Sequence, residues 1–208
     1  PVTNPTSTAI FKSLLALKTR CPIVFGFHPG AQKSSVAAAK IVRDAAIEAG
    51  APENCVQWIE HPSIEATGAL MKHPGVATIL ATGGPGMVKA AYSSGKPALG
   101  VGAGNAPAYI DTDVDIERAA NDLILSKHFD YGMICATEQA IIAHKDVYAP
   151  LVKELKRRKA YFVNADEKAK LEQYMFGCTA GSGQKPVLNS VVPGKSPQFI
   201  AKAAGFEI

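Results

Sequence analysis

The sequence has no closely spaced cysteines. Its four, Cys21, Cys55, Cys135 and Cys178, stand far apart and form no CxxC unit, which argues against a zinc site and against a disulfide framework. Reduced thiols in a cytoplasmic protein are the expectation. The five histidines are scattered without metal-ligand spacing, so no metal is expected. No apolar run approaches the roughly 18–20 residues that span a bilayer, and no basic-then-apolar leader opens the chain. Aromatic residues are few, and none interleaves the basic cluster Lys153, Lys156, Arg157, Arg158 and Lys159. A base-stacking platform is therefore missing there, and the solvated end of a helix is the plainer reading. Neither a nucleic-acid nor a membrane partner is expected. Two further things are missing at the ends. The chain opens on Pro1-Val2-Thr3-Asn4-Pro5 without an initiating Met, and Gly205-Phe206-Glu207-Ile208 reads like the start of another strand. The expectation is a piece of a longer protein.

What is present is ordinary globular material. The 208 residues are 47% hydrophobic and 19% charged, with a net charge of +4, enough for one large domain or two small ones. Through residue 101 short apolar runs alternate with helical stretches. Ile23–Phe27, Cys55–Ile59, Val76–Ala81 and Pro97–Val101 read as strands. Between them, 34–49, 63–72 and 85–93 read as helices, the first with Ala38, Val42, Ala45 and Ala49 on its inner face. This order implies a parallel sheet covered by helices on both faces. Beyond Pro107 the pattern changes. A short strand at 108–110 is expected, then a helix at 115–127, a loop at 128–137 and a strand at 139–143. A helix capped by Asp146 should follow, then a strand at 161–164, a helix at 167–175, a Gly/Ser/Pro-rich loop and a last short helix opened by Ser196-Pro197. The expected division is a nucleotide-binding domain over 1–102 and part of a second α/β lobe over 103–208.

Four features bear on chemistry. Thr82-Gly83-Gly84-Pro85-Gly86 follows a strand and opens a helix, where free N–H groups and the helix dipole attract phosphate. Its spacing is not GxGxxG, and a plain strand-to-helix turn reads equally well. Gly100-Val101-Gly102-Ala103-Gly104-Asn105 is a second Gly-rich turn at a strand's carboxyl end, a ligand edge, a domain hinge or both. Cys135 lies in an irregular segment, where a thiol can react if it ionises, although a lone cysteine is more often a small buried hydrophobe. Asn4 before Pro5 reads as the N-cap of a helix carrying Ile10, Leu14 and Leu17. An Asn amide can also donate to an oxyanion.

Taken together, Thr3-Asn4-Pro5-Thr6-Ser7-Thr8, Ala81 through Lys89, Gly100 through Asn105 and Gly132-Met133-Ile134-Cys135-Ala136-Thr137-Glu138-Gln139 resemble the CoA-acylating aldehyde dehydrogenases. The resemblance covers essentially the whole chain and is greatest to the aldehyde dehydrogenase half of bifunctional aldehyde–alcohol dehydrogenases. It implies an NAD-dependent enzyme of fermentative alcohol metabolism, with an aldehyde-dehydrogenase-like fold. Acetaldehyde plus CoA and acetyl-CoA would interconvert through a thioester on Cys135. It implies that Asn4 helps hold the oxyanion and that Val2, Thr3 and Asn4 border the cofactor. Thr82, Gly83, Gly84 and Gly102 would approach NAD, and His28 falls where hydrolytic relatives place a Lys on the adenosine ribose. It also implies a homo-oligomer, a possible fused iron-dependent alcohol dehydrogenase domain, and a catalytic domain continuing past Ile208. A chain of this extent is expected to fold and need not turn over.

One departure is informative. Hydrolytic aldehyde dehydrogenases carry a Glu in the second Gly-rich turn that activates water, whereas Leu99 through Asn105 contain no carboxylate. Water is then a poor acceptor for the thioester, and the CoA thiol a better one. Glu138 is a conceivable substitute base, with polarising or packing near the loop the plainer role. The competing readings are a hydrolytic, non-acylating enzyme and a non-catalytic nucleotide-binding or assembly module.

Overall fold

The computed structural model describes residues 3–102 and 104–208, and the chain divides into two compact units, Pro1–Ala103 and Gly104–Ile208. In the first unit, α1 (Pro5–Lys18) is followed by β1 (Ile23–Phe25), α2 (Gln32–Glu48), β2 (Val56–Trp58) and α3 (Ile64–Lys72). Then come β3 (Ile79–Thr82), α4 (Pro85–Tyr92) and β4 (Ala98–Val101). β1 pairs parallel with β2, Ile23 opposite Val56. β3 pairs parallel with β4, Ile79 opposite Ala98. The expected parallel β–α alternation is therefore present, and every ladder in this unit is parallel. Among the described residues, no ladder joins the two pairs into one sheet.

The core of this unit is thin because its helices approach through small residues. Phe25 and Phe27 stack at 4.7 Å between ring centroids, and Ala9, Ala38, Ala39, Cys55 and Val56 close around them. Two helix faces differ from their sequence reading. α1 buries Ala9, Lys12, Ser13 and Ala16 and turns Ile10, Phe11 and Leu14 outward. Only the small face lets α1 lie close against α2. α2 likewise buries Ser35, Ala38 and Ala39, while Ala45 and Ala49 are exposed. An alanine stripe carries too little apolar area to fix a helix's rotation, so packing decides it.

The second unit contains β5 (Ala106–Ile110), α5 (Ile116–His128), β6 (Glu138–Ala143), α6 (Lys145–Arg157), α7 (Ala165–Phe176) and α8 (Pro197–Ala204). β5 and β6 are parallel, with an irregularity between Ala106 and Pro107. Ile110, Ala120, Leu123, Val147, Leu151 and Leu155 form the core, as the helical spacing of 116–123 and 147–155 requires. Glu154 is enclosed between Arg157 and Arg158, with contacts of 2.7 and 2.6 Å. Arg158 reaches across to the Asn121 side chain on α5 at 2.8 Å.

Two boundaries move. α6 starts two residues earlier than its sequence suggests: the His144 ring accepts from the Asp146 N–H, so His144 and not Asp146 is the cap. The run Tyr161–Asn164 is not a strand. Asn164 instead caps α7 in a reciprocal box with Glu167, and the Tyr161 hydroxyl donates to Glu167 at 2.7 Å. A local cap outweighs β-propensity where no strand lies alongside.

Candidate active site

In the first unit the Gly-rich segment Thr82–Gly86 leaves β3 and enters α4, with Gly84 at the N-cap and Pro85 at the first helical position. Pro there sacrifices no hydrogen bond, because the first N–H groups of a helix have no internal partner. The turn is fixed by Gly83 N–H to Val101 O at 3.1 Å and by Met87 N–H to Gly84 O at 3.0 Å. Gly84 has φ −65°, so its conformation does not call for glycine. Among the described residues, a Cβ at Gly84 or Gly86 meets nothing within 4 Å beyond its chain neighbours and its own helix backbone. The bareness of this helix end leaves room for an anionic group to approach the backbone. That observation fits a dinucleotide phosphate.

Gly100, in β4, is a different case. A Cβ there would lie 2.7 Å from both Val88 and Tyr92, side chains of α4, and its N–H donates to the Tyr92 hydroxyl at 3.0 Å. This glycine belongs to strand–helix packing. Val101 beside it is 54% exposed, and a Cβ at Gly102 makes only ordinary contact with Val88 at 3.7 Å.

Thr3 is exposed, and Val2 lies outside the described residues. Asn4 occupies the N-cap position of α1, but its side chain does not cap the helix. Its backbone oxygen accepts from the Thr8 hydroxyl at 3.0 Å. His28 caps a short 3-10 turn, Nδ1 accepting from Gly30 N–H at 3.1 Å. The structure thus gives His28 a local role of its own. Sequence reasoning missed Lys12. It is buried in α1 and its ammonium donates to Leu80 O, in β3, at 2.7 Å. Burial pushes its pKa down to about 8.

In the second unit Cys135 is exposed and Cys178 buried, and in the first Cys21 is exposed and Cys55 buried. Cys135 sits in a turn closed by Thr137 N–H to Ile134 O at 3.0 Å. Upstream, Asp130, Tyr131 and Gly132 are consecutively left-handed, with φ of 52°, 51° and 69°. Two non-glycine residues in that region, one of them a tyrosine, are costly and collect where a backbone is held for a purpose. A Cβ on Gly132 would lie 3.2 Å from the Lys127 carbonyl. Downstream, Thr137 is buried and donates its hydroxyl to Ser126 O at 3.3 Å. The Ser126 hydroxyl beside Glu138 is the first cause that holds this carboxyl below the usual range. One Glu138 oxygen is enclosed without a partner. On the far side of the turn, a Cβ on Gly104 would come within 3.5 Å of the Cys135 carbonyl oxygen. Gly132 and, more weakly, Asp130 were the sequence signals for this geometry, since a short Asp side chain tolerates the left-handed region, while nothing in the identity of Tyr131 announces it.

Among the described residues no group of three His, Cys, Asp or Glu side chains is placed to hold a metal, and no helix is long and apolar enough to cross a membrane.

Comparison with known proteins agrees with this architecture. Aldehyde-alcohol dehydrogenase 2 of Entamoeba histolytica is 64% identical over the whole chain, which spans 24% of that protein's length. The chain thus spans about a quarter of the curated relative it matches. An acetylating aldehyde dehydrogenase from Geobacillus thermoglucosidasius superposes with a TM-score of 0.88 at 50% identity, over 99% of this chain and 44% of that one. A propionaldehyde dehydrogenase from Rhodopseudomonas palustris, solved with bound propionyl-CoA, gives 0.85 at 36% identity, over 99% and 44% of the two chains. Residues 2–191 match the aldehyde dehydrogenase family, and the chain belongs to that family.

Proposed function

We propose that the protein is a CoA-acylating aldehyde dehydrogenase that interconverts acetaldehyde plus CoA and acetyl-CoA, with Cys135 as nucleophile. The observation that carries this reading is an exposed thiol on a turn fixed at both ends, in a chain whose second Gly-rich segment lacks a carboxylate. The Cys135 thiolate attacks the acetyl-CoA carbonyl, the carbon–sulfur bond to CoA breaks, and the CoA thiolate leaves and takes a proton. The acetyl group is then held as a thioester on Cys135. Bound NADH would supply the hydride that takes the thioester to the aldehyde, with a proton going to the released Cys135 thiolate, and NAD+ would accept the hydride in the reverse direction.

Residues 1–102 would hold the dinucleotide, with Thr82, Gly83 and Gly84 at its phosphates and Gly102 nearby, and 103–208 would carry the nucleophile. Asn4 would donate to the oxyanion. His28 would face the adenosine ribose. The name of the Entamoeba histolytica relative supports a fused alcohol dehydrogenase domain, while a cytoplasmic, fermentative role and a homo-oligomer are carried over from the sequence resemblance alone.

The hydrolytic alternative is disfavoured by the missing base. The test is the dependence of aldehyde oxidation on CoA in the full-length protein. Oxidation that stops without CoA supports acyl transfer. Oxidation at the same rate without CoA, with free acid as product, overturns it. NAD binding without labelling of Cys135 by aldehyde or acyl-CoA would favour a binding module instead.

A further inference from the structure

The turn that carries Cys135 is fastened to one helix end from both sides. The last carbonyls of a helix have no partner within it. In α5 the Leu125 carbonyl accepts from Phe129 N–H, and the Ser126 carbonyl accepts from the Thr137 hydroxyl. Thr137 also closes the cysteine turn through its own N–H to Ile134 O at 3.0 Å. One residue therefore defines the turn and ties it to α5. It is 3% exposed, so water does not compete for that hydroxyl. The residue after it enters β6 opposite Ala106. Before the turn, the left-handed run Asp130–Gly132 reverses the chain against Lys127, the neighbour of Ser126.

We propose that Thr137 is a positioning residue for the Cys135 nucleophile, acting through its hydroxyl bond to the Ser126 carbonyl at the end of α5. The proposal rests on the reading of Cys135 given above. Attack on an acyl carbonyl requires the sulfur in a narrow range of distance and direction, and a misplacement of about 1 Å can cost on the order of 100-fold in rate. Thr137 touches neither substrate nor sulfur in this account. It sets where the turn stands.

The test compares Thr137→Val, which keeps the shape and removes the hydroxyl, with Thr137→Ser, which keeps the hydroxyl. The readout is single-turnover transfer of acetyl from acetyl-CoA to Cys135, normalised to the thiol titrated per folded molecule, in the full-length protein. Thr137→Val should slow the transfer at least about 10-fold and leave the acetyl-CoA concentration for half-saturation within about twofold. Thr137→Ser should restore most of the rate. Thr137→Ala, which cannot clash, carries the same expectation as Val should Val fail to fold. Transfer at the wild-type rate in Val or Ala overturns the proposal, and so does a Ser variant as slow as Val. Cys135→Ser is run alongside: if it still accepts acetyl, the nucleophile assignment fails, whatever Thr137 does.

Discussion

Gly84 and Gly100 both stand in Gly-rich stretches at the carboxyl ends of strands, yet they are glycines for different reasons. A Cβ at Gly84 has open space, while one at Gly100 collides with Val88 and Tyr92. Gly84→Val should therefore leave folding intact and weaken NAD binding, since the added side chain occupies the approach to the α4 N-terminus. Unchanged affinity by calorimetry in the folded variant would remove this turn from the cofactor site. For the missing water-activating base, Val101→Glu is the informative substitution, because Val101 is more than half exposed. It should raise release of free acid relative to acyl transfer, measured as the product ratio at fixed CoA. Gly100→Glu should fail to fold or lose stability by several kcal/mol through overpacking. Sequence alone made those two positions look interchangeable. The distinction lives in side chains of α4 that no local pattern reveals. Thr137 was invisible for the same reason: its partner is a carbonyl eleven positions away, at a helix end.

At the scale of elements, what was legible followed from strong periodicity. Val147, Leu151 and Leu155 recur at helical spacing among charged residues, and all three are buried. α1 was misread because its larger apolar residues, Ile10, Phe11 and Leu14, lie outward, while a lysine and a serine lie inward. That buried lysine has a measurable consequence. The folded chain releases the Lys12 proton near pH 8, whereas an unfolded chain holds it to about pH 10.5. Unfolding between those values takes up a proton, so the contribution to stability rises with pH across that window. Below pH 8 both states are protonated and the cost of burying the charge is fully present. Urea midpoints at pH 7.5 and pH 10 should show wild type gaining on the order of 2 kcal/mol relative to Lys12→Met. Parallel pH profiles for the two proteins would contradict this.

On the scale of the whole molecule, the chain divides into two compact units, Pro1–Ala103 and Gly104–Ile208, and the repeating β–α pattern of the sequence stops after Pro107. The parallel alternation of the first unit was legible because each β–α link is short and because α3 and α4 open with Ser63 and with Gly84-Pro85. The failure at Tyr161–Asn164 has the same root as the success elsewhere. A strand needs a partner, and apolar alternation cannot say whether one is there. The chemistry rests on fewer residues than the fold, and above all on Cys135. Its claim is tested most directly by mass spectrometry of the full-length protein after brief exposure to acetyl-CoA without NADH. Acetyl should be found on the peptide containing Cys135 and be lost on adding free CoA, with Cys135→Ser unlabelled and inactive. Acetyl on Cys21, Cys55 or Cys178, with full activity in Cys135→Ser, would contradict the account.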